Sequence, residues 1–254
     1  MINFDESTKI LLEKCNTFGL AFPYKNWNIK PFKIPDYYEF MYCSSILDID
    51  KNSLGNIEFI QMSYLQFICK VLINSDTNEV TQQLSLLFRI ALGNEGDIRI
   101  KIDDKGRYSL VVNNEIMTSR DFDMIRKIIL YQNLKDYKDM TNVDPAIKKS
   151  IQEYNRIKNR DITPPSLEKK IASVIAHSGI SRTEINDMTI RQFDVLFNTV
   201  IDEVEYTITQ TGKLASYTIE DKIEHWVYKD EKSMYSDAFV SYDKTENKIN
   251  KANA

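Results

Sequence analysis

The chain has 254 residues, 43% hydrophobic and 11% aromatic, enough apolar material for one large core or two smaller ones. A net charge of −4 with 28% charged residues leaves the signs nearly balanced, so no global positive field draws in polyanions and general nucleic-acid binding is disfavoured. Seven glycines and six prolines are too few for a sandwich of many short strands and favour long helices, giving a mainly α (α+β) class.

At the N-terminus, Asp5, Glu6, Lys9, Glu13 and Lys14 break any apolar run before it reaches signal-peptide length. Nothing downstream approaches the roughly 20 apolar residues that span a bilayer. The expected location is the cytoplasm, and a particle assembled there and released on lysis would carry the same composition. Cys15, Cys43 and Cys69 are odd in number, far apart and set in apolar-periodic segments, so they read as buried thiols.

In chain order, residues 5–17 form an amphipathic helix, and Phe18–Lys33, with Pro23 and Pro31, reads as extended chain. Pro35 and Asp36 start a helix carrying Tyr37, Phe40, Met41, Ser44 and Leu47 at helical spacing. A second helix covers Ile57–Ile73, with Phe59, Met62, Leu65, Phe67, Ile68 and Leu72 facing inward, and a third covers Val80–Leu92. The period then changes to two. Ile98, Ile100 and Ile102 alternate with polar residues, Asp104, Lys105 and Gly106 supply a turn, and Tyr108, Leu110 and Val112 resume the alternation. This is a β-hairpin near 97–118, with Glu115–Met117 the candidate third strand. Ser119 caps a helix to about Gln132, with Phe122, Ile125, Ile128 and Ile129 on one face. Another helix starts at Asn142–Pro145 and runs to about Asn159.

The polar segment from Lys158 to Pro165 (KNRDITPP) is the best linker in the chain. The expected organisation is an N-terminal α+β domain over 1–160, a C-terminal helical domain over 161–229, and a tail over 230–254 that ends in the apolar-poor DKTENKINKANA.

In the C-terminal block, Ser166 caps a helix bearing Leu167, Ile171, Val174 and Ile175 that ends at Ser178-Gly179. Ser181 with Glu184, and Thr189 with Gln192, have capping-box spacing, so two further helices start in quick succession. On the last, Ile190, Phe193, Phe197, Val200, Val204 and Ile208 lie along one stripe. Helix, glycine turn, short helix and long helix raise a helix-turn-helix DNA-binding reading. Charge opposes it: from Thr189 to Ile208 one cation, Arg191, stands against Asp194, Asp202, Glu203 and Glu205, a net of −3 that would face phosphates. His225, Trp226 and Tyr228 on a final predicted helix read as an anchor to their own domain, with an interface role as the alternative.

No catalytic constellation emerges. His177 and His225 lack the i, i+4 partner of a zinc helix, and no GxSxG or GxxxxGK[ST] is present. Asp48, Asp50 and Asn52 begin with calcium-loop spacing, but Ser53 and Phe59 stand where the loop needs Gly and Glu. Asp103 and Asp104 read as turn residues, and the acidic GNEG of Gly93–Gly96 as a connection. The expectation is a non-enzymatic protein with no metal and no cofactor.

The stretch PPSLEKKIASVIAHSGISRTEINDMTIRQFDVLFNTVIDEVEY followed by IEHWVY resembles C-terminal regions of tail morphogenesis proteins of tailed bacteriophages from Gram-positive hosts. KNSLGNIEFIQMSYLQF and DFDMIRKIILYQN look similar to the same group, so the likeness spans most of residues 36–229. It is a likeness of layout rather than of catalytic motif. The resemblance implies a tail assembly chaperone that holds the tape-measure protein while tail-tube subunits polymerise, with helical self-association and no cofactor. A minor virion structural protein, in the tail or connector, is the alternative it also admits. It implies the host cytoplasm, or the virion in the second case, and no membrane partner. The residues expected in core or interface are Ile190, Phe193, Phe197, Val200, Val204, His225, Trp226 and Tyr228.

Overall fold

A computed structural model describes residues 4–54, 56–73, 77–96, 98–134, 137, 145–158 and 164–215. It is mainly helical, as the composition and periodicity imply, with two small antiparallel sheets. By contacts the described residues fall into two units, one holding 4–137 with 165–198 and the other 145–158, 164 and 199–215.

The first unit opens with α1 (Glu6–Phe18), whose N-cap Asp5 accepts from the Thr8 N–H and which stops at Gly19 in the left-handed conformation. The stretch expected to be simply extended instead folds as a hairpin, β1 (Phe22–Tyr24) and β2 (Trp27–Ile29), with Phe22 opposite Ile29. Its two-residue loop puts Lys25 at φ 52. No Asn-Gly marks that turn in the sequence; a lysine takes the left-handed angle there, and its ammonium donates to Asp121.

After a 3-10 turn (Ile34–Asp36) comes α2 (Tyr37–Ser44). The single helix expected over 57–73 is broken. α3 (Ile57–Gln61) ends at Met62 with ψ 146, Ser63 then caps α4 (Tyr64–Phe67) by accepting from the Gln66 N–H, and one π-type turn covers Ile68–Leu72. The Ser63 hydroxyl offers the backbone a partner outside the helical ladder, and apolar periodicity does not register that competition. α5 (Thr77–Leu92) begins earlier than expected.

The second sheet contains β3 (Arg99–Ile102), β4 (Tyr108–Val112) and β5 (Glu115–Thr118) in that order, so the candidate third strand is present. Asn113 and Asn114, both at positive φ, make the tight β4–β5 turn. α6 (Ser119–Asn133) is capped by Thr118 rather than Ser119, in a box with Asp121. Ser119 instead donates to the Tyr108 carbonyl at 2.9 Å.

α8 (Leu167–Ser178), α9 (Arg182–Asp187) and the start of α10 (Ile190–Ala215) complete this unit. They dock through the backbone. The Ile34 N–H donates to the Met188 carbonyl at 3.1 Å, the Ile190 N–H donates to the Phe32 carbonyl at 3.0 Å, and Lys33 and Thr189 form an antiparallel bridge between these bonds. On its other side, the Phe32 N–H donates to Asn133 Oδ1 at 2.8 Å. One continuous core includes Leu12, Phe32, Phe40, Leu47, Phe88 and Phe122 and reaches Ile185, Ile190 and Phe193.

In the second unit, α7 (Pro145–Lys158) exposes Ile157, while Val200 on α10 is buried. The expected helix start at Asn142–Asp144 and the centre of the Lys158–Pro165 linker lie outside the described residues.

Asn133 is fully buried, and its Nδ2 also donates to the Ile129 carbonyl at 2.8 Å. Asn133→Ala should therefore orphan the Phe32 N–H and open a small cavity, lowering stability by about 2–3 kcal/mol in urea unfolding.

Candidate interaction surface

The C-terminal helices begin and end where their capping residues place them. Ser166 Oγ accepts from the Lys169 N–H at 3.3 Å, and Gly179 turns the chain at φ 70 after α8. Ser181 and Glu184 form a reciprocal capping box, whose side-chain and backbone hydrogen bonds hold the Glu184 carboxyl below its ordinary pKa. Thr189 and Gln192 form a second, with Thr189 N–H to Gln192 Oε1 at 2.9 Å and Gln192 N–H to Thr189 Oγ1 at 3.2 Å.

The first turn of α10 is tied into the first unit. Arg191 donates from Nη1 to the Tyr131 carbonyl at 2.8 Å, lies over the Tyr131 ring at 4.8 Å, and places Nη2 3.6 Å from Glu13. Tyr131 also donates its hydroxyl to Glu13, and Gln192 Nε2 donates to the Thr17 carbonyl at 2.9 Å. Sequence periodicity pointed to none of these partners, because they come from α1 and α6.

The predicted stripe changes character along α10. Ile190 and Phe193 are buried. Phe197 is half-buried, stacked on Phe193 with ring centroids 6.5 Å apart, and Lys170 Nζ lies 5.3 Å above its ring while pairing with Asp194 at 3.5 Å. Val200 is buried, Val204 half-buried, and Ile208 is 66% exposed. Ile201 is exposed too, and with Val204 and Ile208 it has i, i+3, i+7 spacing on one helical face. The stripe is buried or half-buried as far as Val204 and opens to solvent at Ile208. His225, Trp226 and Tyr228 lie outside the described residues.

The other sequence candidates take structural positions. Asp103 accepts from the Lys105 and Arg107 backbone N–H groups at 2.9 and 2.8 Å and pairs with Arg107 Nε at 2.6 Å, so hydrogen bonds led by Arg107 hold its carboxyl below the ordinary value. Asn94, in the GNEG loop, donates to the Gly96 carbonyl at 2.7 Å and accepts from the Asn113 N–H at 3.2 Å, pinning that loop to the β4–β5 turn. His177 Nδ1 sits 2.9 Å from the Ser173 carbonyl on the exposed end of α8. Cys15, Cys43 and Cys69 are buried free thiols, and burial pushes those of Cys43 and Cys69 up to about 12.

Two buried charges were not singled out in the sequence. Arg126 donates from Nη1 to the Leu47 carbonyl at 2.6 Å, pairs with Asp123 at 3.0 Å and stacks over the Tyr64 ring at 3.9 Å. Tyr64 in turn donates to the Ile46 carbonyl at 3.0 Å and accepts from the Ile49 N–H at 2.8 Å, which secures the bend containing Asp48. Asp121 accepts from Thr118 Oγ1 at 2.7 Å, from the Tyr24 hydroxyl at 3.1 Å and from the Lys25 ammonium. Burial alone raises its pKa, and the hydrogen bonds from Lys25, Thr118 and Tyr24 outweigh that, leaving it lowered. Both clusters fasten segments to α6.

Among the described residues, no group of three His, Cys, Asp or Glu could hold a metal, and no helix is long and apolar enough to cross a membrane.

Residues 157–229 match the family model described as the YomV second domain. That family is of Gram-positive phage origin, which fits a phage protein. The match takes in α8, α9 and α10, the stretch whose capping and apolar stripe stand out in the sequence. No curated protein and no solved structure matches the chain.

The two ends of the α10 stripe should respond differently to substitution. Phe193→Ala should cost roughly 3–5 kcal/mol in chemical denaturation, whereas Ile208→Ser should stay within about 0.5 kcal/mol of the parent. A second outcome concerns acid. Asp121 has a folded pKa below its unfolded value, so its contribution is fully present above about pH 4 and is lost as pH falls through the lowered folded value. The melting-temperature gap between the parent and Asp121→Asn should be constant near neutrality and shrink below about pH 4.

Proposed function

We propose that this protein is a non-enzymatic phage tail assembly factor, a chaperone that binds tape-measure or tail-tube subunits through helical contacts in the host cytoplasm. The observation that carries the reading is the coincidence of the phage-family match over 157–229 with a helix whose apolar stripe leaves the core and opens at Ile201 and Ile208. A helix with a fixed end and an open apolar face suits protein–protein docking in the helix-in-groove manner. The same face admits self-association of the chaperone.

The position of α10 weighs against the DNA-binding alternative. A recognition helix presents its N-terminal residues to base edges. Here Ile190, Arg191 and Gln192 hold the Phe32 carbonyl, Tyr131 and Thr17 of the same chain, and the remaining charges from Thr189 to Ile208 are acidic.

The test compares mass spectrometry of purified particles with co-purification from infected-cell lysates. A chaperone should be absent from particles and recovered with the tape-measure or tail-tube protein. Recovery in particles at fixed stoichiometry would instead assign it as a minor structural component. The Ile201→Asp, Ile208→Asp double variant should keep the parent melting temperature and lose the tail partner.

A further inference from the structure

The three-stranded sheet ends in an edge that none of the preceding interactions uses. Among the described residues β3 pairs with β4 alone, and all four of its residues, Arg99 to Ile102, are exposed. Its hydrogen-bonding register follows from the turn. The Asp103 N–H donates to the Arg107 carbonyl at 3.1 Å, making 103 and 107 a hydrogen-bonded pair. In an antiparallel ladder such pairs recur at every second residue, so Lys101 and Arg99 turn their backbone groups toward β4. Ile100 and Ile102 therefore direct their N–H and C=O groups away from the sheet.

The side chains divide the same way. Ile100 stands opposite Leu110, which stands opposite Met117, so these three and Ile102 share a face. Leu110 and Met117 are fully buried, yet Ile100 is 43% and Ile102 59% exposed. The core face of the sheet thus runs out to an uncovered apolar rim. Arg99 and Lys101 lie on the opposite face, where their strand partners are Val111 and Ser109.

We propose that the β3 edge is a docking site for an extended segment of a partner protein that alternates apolar and acidic residues and adds to the sheet as a fourth strand. Its backbone would bond to Ile100 and Ile102, its apolar residues would cover the isoleucine rim, and its carboxylates would face Arg99 and Lys101. A second copy of this chain is a poorer occupant. Of the three antiparallel registers that bring isoleucine against isoleucine along β3, two set Lys101 opposite Lys101 or opposite Arg99, where like charges repel, and the third sets it opposite Asp103, whose carboxylate already accepts from the Lys105 and Arg107 N–H groups and pairs with Arg107. Charge at this edge disfavours self-pairing and favours an acidic strand. The site is independent of α10, so its failure would leave the tail-assembly reading untouched.

The test uses the full chain and two labelled eight-residue peptides, one alternating Val with Glu and one alternating Val with Lys, in fluorescence-anisotropy titrations. The Val/Glu peptide should bind at least about tenfold more tightly than the Val/Lys peptide, and Arg99→Glu, Lys101→Glu should reverse that order. Ile100→Pro removes an outward N–H without taking a bond from the β3–β4 ladder, so it should abolish binding and keep the parent circular dichroism. Equal binding of both peptides, no binding of the Val/Glu peptide, or full binding by Ile100→Pro would overturn the proposal. So would a parent dimer in sedimentation that Ile100→Pro converts to monomer, which would assign the edge to a second copy.

Discussion

The segment from Phe32 to Ile34 is the seam on which the first unit depends. Its backbone is satisfied on one side by Asn133, at the end of α6, and on the other by Met188 and Ile190, at the junction of α9 and α10. A buried backbone group without a partner is costly, so these bonds fix where the three elements meet. Phe32 itself is fully buried, its ring 5.1 Å from that of Phe40. Apolar packing supplies the driving force at this seam, and the backbone bonds supply the register.

The same division recurs around α6. Its apolar face, Phe122, Ile125, Ile128 and Ile129, enters the core, while Asp121, Arg126 and Asn133 each reach out to a segment lacking long regular structure. Asp121 holds the β1–β2 loop, Arg126 the bend after α2, and Asn133 the seam. These three irregular segments are thus held by polar side chains of one helix. Each of those side chains is itself hydrogen-bonded, the condition under which burial of a polar group is tolerated.

α10 joins this scaffold to the proposed function. Its first turn is immobilised by capping and by Arg191, and its acidic, partly open later turns carry Ile201, Val204 and Ile208 on one face. Partner binding gains when the contacting helix is already ordered, because less conformational entropy remains to be lost. The likeness to a phage family falls on this part of the chain.

The sequence by itself determined the helical class, the second hairpin and its third strand, and the caps at Ser166, Gly179, Ser181 and Thr189. Each rests on interactions between residues a few positions apart, which periodicity and spacing encode directly. It also marked the stripe from Ile190 to Val204. Only the tertiary structure decided which part of that stripe is core, since burial depends on what stands opposite and the partners of Ile190 and Phe193 come from distant segments. The break at Ser63 and the first hairpin were likewise invisible to periodicity. In one case a single hydroxyl outcompetes the helical ladder, and in the other a left-handed lysine is held by Asp121, 96 residues away. Local chemistry wrote the elements, and long-range polar contacts chose their arrangement.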